Sequence, residues 1–523
     1  MAGRSLGRAA VVVAGCYVLS NVAGFVARLL INARFGAGPA QDAFRAAFVI
    51  PDLLFNLLAG GALASAFIPV YVARLSKGET ALAWCLARRV GLIVFAALTI
   101  LALLAALFAQ PLIRHVVARQ FSAEQIVLTA SLMQIMLIAT VVFGVSGLLM
   151  GLLQSNGDFL APAVAPSLYQ IGMIVGATAL GSLGIHGLAI GVVLGALLHL
   201  GVQLPGLMRV AHAAQITIDH QPSAVGADLH QVLTLMPPRL LGLGAVQLNH
   251  LVNTTLASGF SGGVSAFNNA FAILVLPIAA IGQAIGTVIF PSLSAHIARG
   301  ERAQFASAFV RALSFVITLS LPAAAGLIVL GEPLIRLLFE RGAFDARATT
   351  WVAFALSWLA LGLPAHVALE LVTRAFYALK DSLRPALVAV FSVGLNIAMS
   401  VAFYRAFEAL GWLPFGGLGL ANALATIAET SVLYGALARR EPRVRMRSVF
   451  IPLGKASLAT LVMALFIRGW LFAVGDGALA TLAAVGLGGV VYFSAALALR
   501  AEEAISALSV IRRRILVRAQ RPA

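Results

Sequence analysis

The chain has 523 residues, of which 61% are hydrophobic and only 11% charged, and its mean hydropathy is +0.98. That composition excludes a soluble globular domain of this length, because runs of about 20 apolar residues are what a bilayer core demands of a helix. The net charge of +17 does not point to nucleic acid, since the basic residues gather in short breaks between apolar runs.

The first run follows Arg4 and Arg8 and imitates a signal peptide, with VAGC resembling a lipoprotein cleavage box that ends at Cys16. The run continues to about Ile31 and others follow it, so it reads as an uncleaved first helix. Further runs occupy 42–73, 85–109, 126–153, 160–182, 187–208, 230–257, 264–296, 305–330, 348–378, 385–406, 416–438, 450–474 and 478–500. The expectation is an all-α polytopic membrane protein with about 14 transmembrane helices. Cys16 and Cys85 both lie in apolar segments, which supports neither a disulfide framework nor a metal site.

The second run is unusual. Between Asp42 and Glu79 it carries Asp42, Arg45, Asp52, Pro51 and the small run Gly60-Gly61-Ala62. A helix that only crossed lipid would hold none of these. Charges inside a span face a bundle interior or a watery cavity, and small residues let a second helix approach closely.

Parts of this stretch return later. AFRAAF at 43–48 echoes AFNNAF at 266–271, and FIPVYVARLSKGE at 67–79 echoes IFPSLSAHIARGE at 289–301. QPLIR at 110–114 echoes EPLIR at 332–336, and GDFLAPA at 157–163 echoes KDSLRPA at 380–386. The offset is nearly constant and spans six runs, an even number, so both copies enter the membrane the same way up. Parallel repeats of this kind place a transport path at their interface. The chain divides into a first lobe (1–220), a second lobe (221–440) and two extra helices with a basic tail (441–523).

Basic residues set the orientation. Arg74, Lys77, Arg88, Arg89, Arg299, Arg302, Lys380, Arg384, Arg439 and Arg440 fall in breaks on one side, together with the tail. They outnumber those on the other side, so both termini are expected in the cytoplasm and the tail faces anionic lipid headgroups.

The motifs SNVAGFVARLLINARFGAGPAQDAF, IPDLLFNLLAGGALASAFIPVY, VQLNHLVNTTLASG, PLIRLLFERGAF and RAFYALKDSLRPALV resemble the MurJ (MviN) family, lipid II flippases of the MOP exporter superfamily. The resemblance implies a pair of six-helix lobes around a central cavity that takes a diphosphate-sugar-peptide headgroup, with helices 13 and 14 bordering a groove for the polyprenyl tail. It implies a bacterial inner-membrane protein whose partners are the lipid-linked peptidoglycan precursor, membrane lipids and cell-wall synthesis enzymes, with no cofactor. The chain departs from the family where many members carry headgroup-binding arginines in helices 1, 2 and 8: here stand Asn21, Ala27, Phe55, Asn56 and Ala272. Gly60 stands where a glutamate is usual.

A diphosphate brings about two negative charges, which arginines meet bidentately. The headgroup candidates are Arg28, Arg45, Asp52 and Arg239, with Asn249 and Asn253 (beside Gln247 and His250) and Asn268 and Asn269 as hydrogen-bonding partners. Arg28 alternatively pairs with Asp42 or Asp52, and the asparagines alternatively join helix to helix. His366, Glu370, Arg374 and Glu429 are candidates for ion or proton coupling; the competing reading is a Glu370–Arg374 ion pair capped by His366. Lys455 reads as an anchor near headgroups. Gly454-Lys455 lacks the rest of a phosphate-binding loop, and no HExxH or GxSxG occurs, so chemistry on the substrate and ATP hydrolysis are not expected. Rival readings keep the fold and change the cargo to another polyprenyl-linked glycan or small molecule, or make the chain a transport-inactive scaffold for cell-wall enzymes.

Overall fold

A computed structural model describes residues 2–59, 61–215, 222–235, 237–444 and 447–501. Among them the chain is helical throughout, with no strand. It forms two compact units, one of residues 1–265 with 341–345, the other of residues 266–340 with 346–523.

The first unit contains α1 (Ala2–Phe35), α2 (Pro39–Ala47), α3 (Val49–Leu58), α4 (Gly61–Ser76), α5 (Thr80–Leu107), α6 (Ala109–Leu112), α7 (Ala123–Ser155), α8 (Leu160–Ala177), α9 (Ile185–Gly201), α10 (Leu204–Gln215), α11 (Pro222–Leu235) and α12 (Pro237–Ala257). The second expected span is broken into α2, α3 and α4. Pro51 has no N–H to give the Ala47 carbonyl, which accounts for the break at Phe48. Leu86, Leu98 and Leu153 of α5 and α7, with Phe67 and Tyr71 of α4, form a buried core beside these short helices. α8 and α9 pack backbone on backbone: a Cβ on Gly172 would stand 2.3 Å from Gly195 Cα.

α13 (Gly263–Pro277) opens at the end of the first unit and continues in the second. There follow α14 (Ala284–Ala298), α15 (Arg302–Val329), α16 (Gly331–Phe339), α17 (Ala346–Ala360), α18 (Leu363–Ala378), α19 (Leu383–Ala409), α20 (Phe415–Arg440), α21 (Arg447–Val474) and α22 (Ala478–Ala498). α17 and α18 meet at 47°, where Pro364 has no N–H for the Ala360 carbonyl. Met463 and Ile467 of α21 and Ala484, Tyr492 and Ala496 of α22 share one core, and the Tyr492 hydroxyl donates to the Thr318 carbonyl of α15.

Eleven described helices are long and apolar enough to cross a membrane, or twelve with α17 and α18 taken as one bent span. The other two expected spans, 42–73 and 230–257, are outside that set. The first is in three pieces, and the second is rich in polar residues and partly outside the described residues. The tail beyond residue 501 also lies outside them. Ion pairs and hydrogen bonds nevertheless join the helix ends that strict alternation puts on one side. Arg74 pairs with Asp228, Arg209 with Asp158, Arg302 with Glu441 and Arg440 with Asp381. At the opposite ends, Arg34 donates to the Gly181 carbonyl, Thr255 to Val117, and Arg336 pairs with Asp476.

The sequence repeat returns as backbone geometry. Gly78 and Gly300 have φ of +76° and +73°, and the residues after them, Glu79 and Glu301, start α5 and α15 at φ/ψ of −84°/55° and −82°/63°. Each glutamate reaches back five residues, Glu79 to Arg74 at 2.6 Å and Glu301 to His296 at 2.7 Å. A second pair of turns matches likewise: Gly157 and Lys380 both have positive φ, and Asp158 and Asp381, next in sequence, each bind an arginine of a later helix.

Candidate functional site

The first unit gathers charge around the broken second span. Arg28 is on α1, Arg45 on α2 and Asp52 on α3, all partly buried. Arg45 lies close enough to Arg28, Tyr169 and His250 to interact with each electrostatically, and Tyr169 is within the same range of Asp52. Among the described residues no ion pair joins Arg28, Arg45 or Asp52. Arg45 Nε is buried and has no hydrogen-bond acceptor among them.

The position of Asp52 comes from its backbone. Its carbonyl accepts from Asn56 Nδ2 at 2.9 Å and from Gln247 Nε2 of α12 at 3.0 Å, which ties α3 to α12. That contact brings His250 of α12 toward Arg45. Asn253 is almost fully buried and donates to Asn249 Oδ1 at 3.4 Å, a bond within the helix's own face. Arg239 lies on α12, but its side chain is outside the described residues.

Tyr169 of α8 carries no sequence signal beyond being a polar aromatic within an apolar run, and sequence reasoning misses it. Its ring stands edge-on to Phe143 at 5.0 Å; Phe143 in turn meets Phe55 at 6.1 Å and His199 at 5.3 Å. Phe55 thus packs against the ring that supports Tyr169. Ala27 is buried.

Among the described residues Asp42 pairs with no arginine. Its carboxylate accepts from the backbone N–H groups of Gly262 at 2.5 Å and Ser265 at 2.7 Å, so it caps the start of α13. The pairing of Arg28 with Asp42 or Asp52 is therefore not found, and Arg28 and Arg45 lie close enough to repel one another, neither being in an ion pair among the described residues. An anion brought between them would relieve that repulsion and satisfy Arg45 Nε.

The second unit holds the other candidates. Arg374 Nη1 donates to the Glu370 carboxylate one turn away and to the Glu370 carbonyl at 2.9 Å. Room for the pair comes from two glycines. A Cβ on Gly282 would lie 3.3 Å from Glu370 Cγ, and one on Gly286 would lie 2.7 Å from Arg374 Nη1. His366 does not cap this pair through a hydrogen bond; its Nε2 meets Asn422 Oδ1 at 3.0 Å and Thr426 Oγ1 at 3.3 Å on α20. Glu429 lies beside Ser392 of α19. Asn269 is fully buried and Asn268 partly so, both on α13.

Comparison with known proteins gives a consistent result. The family model described as "Lipid II flippase MurJ" matches residues 31–482. The "Probable lipid II flippase MurJ" of Rhizobium tropici is 30% identical over 83% of this chain and 81% of its own length. The "Lipid II flippase MurJ" of Burkholderia cenocepacia is 29% identical over 83% and 84%. Among solved structures, "Lipid II flippase MurJ, inward closed conformation" superposes with a TM-score of 0.78 at 22% identity, covering 93% of this chain and 98% of that one. A multidrug resistance MATE family transporter of the MOP superfamily follows with a TM-score of 0.64 at 16% identity, over 82% and 95%. At these identities the structural likeness establishes the fold.

Proposed function

The chain belongs to the lipid II flippase MurJ family, and from that premise we propose that it moves the lipid-linked peptidoglycan precursor from the inner to the outer leaflet of the bacterial cytoplasmic membrane. The observation that carries this reading for the chain's own residues is the buried Arg45 Nε without an acceptor, close to Arg28, with neither arginine in an ion pair among the described residues. A diphosphate supplies two negative charges and acceptors suited to both guanidinium forks. Tyr169, within electrostatic range of both Arg45 and Asp52, would donate to the sugar, and Asp52 would accept from it. Asn249, Asn253, Asn268, Asn269 and Arg239 belong to the same headgroup assignment.

The two lobes, 1–220 and 221–440, rock about the loaded site, and 441–523 adds helices 13 and 14, which brings the spans to fourteen. Both termini face the cytoplasm. The chain performs no covalent step, so the work comes from a gradient or the membrane potential, the latter worth about 2.3 kcal/mol per charge per 100 mV. His366, Glu370, Arg374 and Glu429 are the titratable groups through which an ion or proton would couple.

The test is complementation. A host depleted of its own flippase receives this chain, and lipid II exposed on the outer leaflet is assayed alongside an Arg28→Ala, Arg45→Ala double variant at equal expression. Rescue by the wild type and failure of the variant are expected. Correct insertion without rescue would overturn lipid II as the cargo, and rescue by both would remove the arginine pair from the site.

A further inference from the structure

We propose that the second unit binds a phospholipid with a phosphoethanolamine headgroup in a cavity between α15, α16, α17 and α21, a site independent of the transport reading. The cavity holds about 990 Å³. Its wall is apolar, with Val329 on α15, Phe354 on α17 and Phe472 on α21; Phe472 is 94% exposed. Its polar groups are separated by sign. Arg468 enters from α21, exposed and without an ion pair among the described residues. Glu332 and Asp476 enter from the start of α16 and from the loop after α21.

The separation follows the helix axis. Arg468 lies six residues before the end of α21 at Val474, roughly 9 Å down the axis at 1.5 Å per residue, while Asp476 sits just beyond that end. The carboxylates are already in excess: one arginine, Arg336, serves Glu332 at 3.1 Å, Glu340 at 3.6 Å and Asp476. A cation below and surplus carboxylates above match a headgroup with its phosphate below and its ammonium above. An anionic phosphatidylglycerol would satisfy Arg468 but bring no cation to Glu332 and Asp476, which share Arg336 with Glu340. The acyl chains would lie along Val329, Phe354 and Phe472. Gly469 and Gly475, which also line the cavity, add no side chain to its wall.

Native mass spectrometry of the purified full chain, offered equal amounts of phosphatidylethanolamine and phosphatidylglycerol, tests the proposal. The wild type should retain one phosphatidylethanolamine at least fivefold in preference to phosphatidylglycerol. Arg468→Ala should lose that retention, Arg468→Lys should keep part of it, and Glu332→Gln should erase the preference while still binding phospholipid. Equal retention of the two lipids by the wild type, or unchanged retention by Arg468→Ala, would overturn the site. An unchanged preference in Glu332→Gln would overturn the ammonium assignment. The wild-type comparison stands even if a variant fails to fold.

Discussion

Gly36 and Gly342 hold two distant loops together, each pressed against the backbone of the other's segment. Both have positive φ, +64° and +61°. A Cβ on Gly36 would stand 2.3 Å from the Ala343 carbonyl oxygen, and one on Gly342 would stand 2.2 Å from that of Ala33. Between them, Ala343 N donates to Ala33 O at 2.7 Å. The motifs FGAGPAQDAF and LFERGAF, far apart in the chain, meet at this point.

Gly342→Ala should therefore destabilise the protein by about 2–4 kcal/mol, combining left-handed strain with displaced backbone. Gly78→Ala separates the two effects, because Gly78 has φ +76° but open space around its Cβ site. It should cost about 1–2 kcal/mol, the strain alone. Thermal unfolding in detergent compares them; equal losses would mean the close contact contributes nothing.

Single substitutions Arg28→Ala and Arg45→Ala should each weaken headgroup binding about 10–100-fold, the range of one charged hydrogen bond. The double variant should lose less than the product, since removing one cation also removes its repulsion on the other. Binding of a soluble diphosphate-sugar headgroup, followed by calorimetry, reads the coupling. Strict additivity would argue against a shared anion.

Asp42→Ala should lower stability by about 2–4 kcal/mol, because the buried N–H groups of Gly262 and Ser265 lose their acceptor. Asp42→Asn keeps one acceptor and should lose less. Transport normalised to folded protein should be unchanged in Asp42→Asn; a transport defect at full stability would give Asp42 a direct part in the cycle.

Arg336 holds the Asp476 carboxyl below the usual carboxylate range. A depressed value stabilises the folded state above the unfolded value of about 3.9, and that contribution disappears as pH falls through the lower folded value. Asp476 is 55% exposed, so screening limits the pair to about 0.2–1 kcal/mol. The wild type should unfold about 1–2 °C above Asp476→Asn from pH 5 to 8, with the gap closing in more acidic buffer. A gap constant to low pH would exclude the ion pair as its source.

Much of this was legible in the chain itself. The repeat followed from matched strings that return as matched turns, whereas the division of 42–73 into three helices was not anticipated, although Pro51 was noted there. The Glu370–Arg374 pair was readable from its spacing, because residues four apart share a helix face. What stayed hidden were contacts across the fold. Nothing near Asp42 indicates that its carboxylate serves backbone donors about 220 residues away, and nothing near Tyr169 indicates that it stands beside Arg45. Local pattern fixes which face of a helix is polar. It does not fix which helix will meet that face.

The paired turns at Glu79 and Glu301 share one backbone but not one chemistry. In the first copy the partner is Arg74, a permanent cation long enough to bind Glu79 and Asp228 together. In the second, Glu301 meets His296 at 2.7 Å and Arg299 at 3.1 Å, both on the turn it closes. Duplication thus kept the turn geometry while its copies took different trades: one became a clasp that reaches out to the connecting segment at α11, the other a fastening that closes on its own turn.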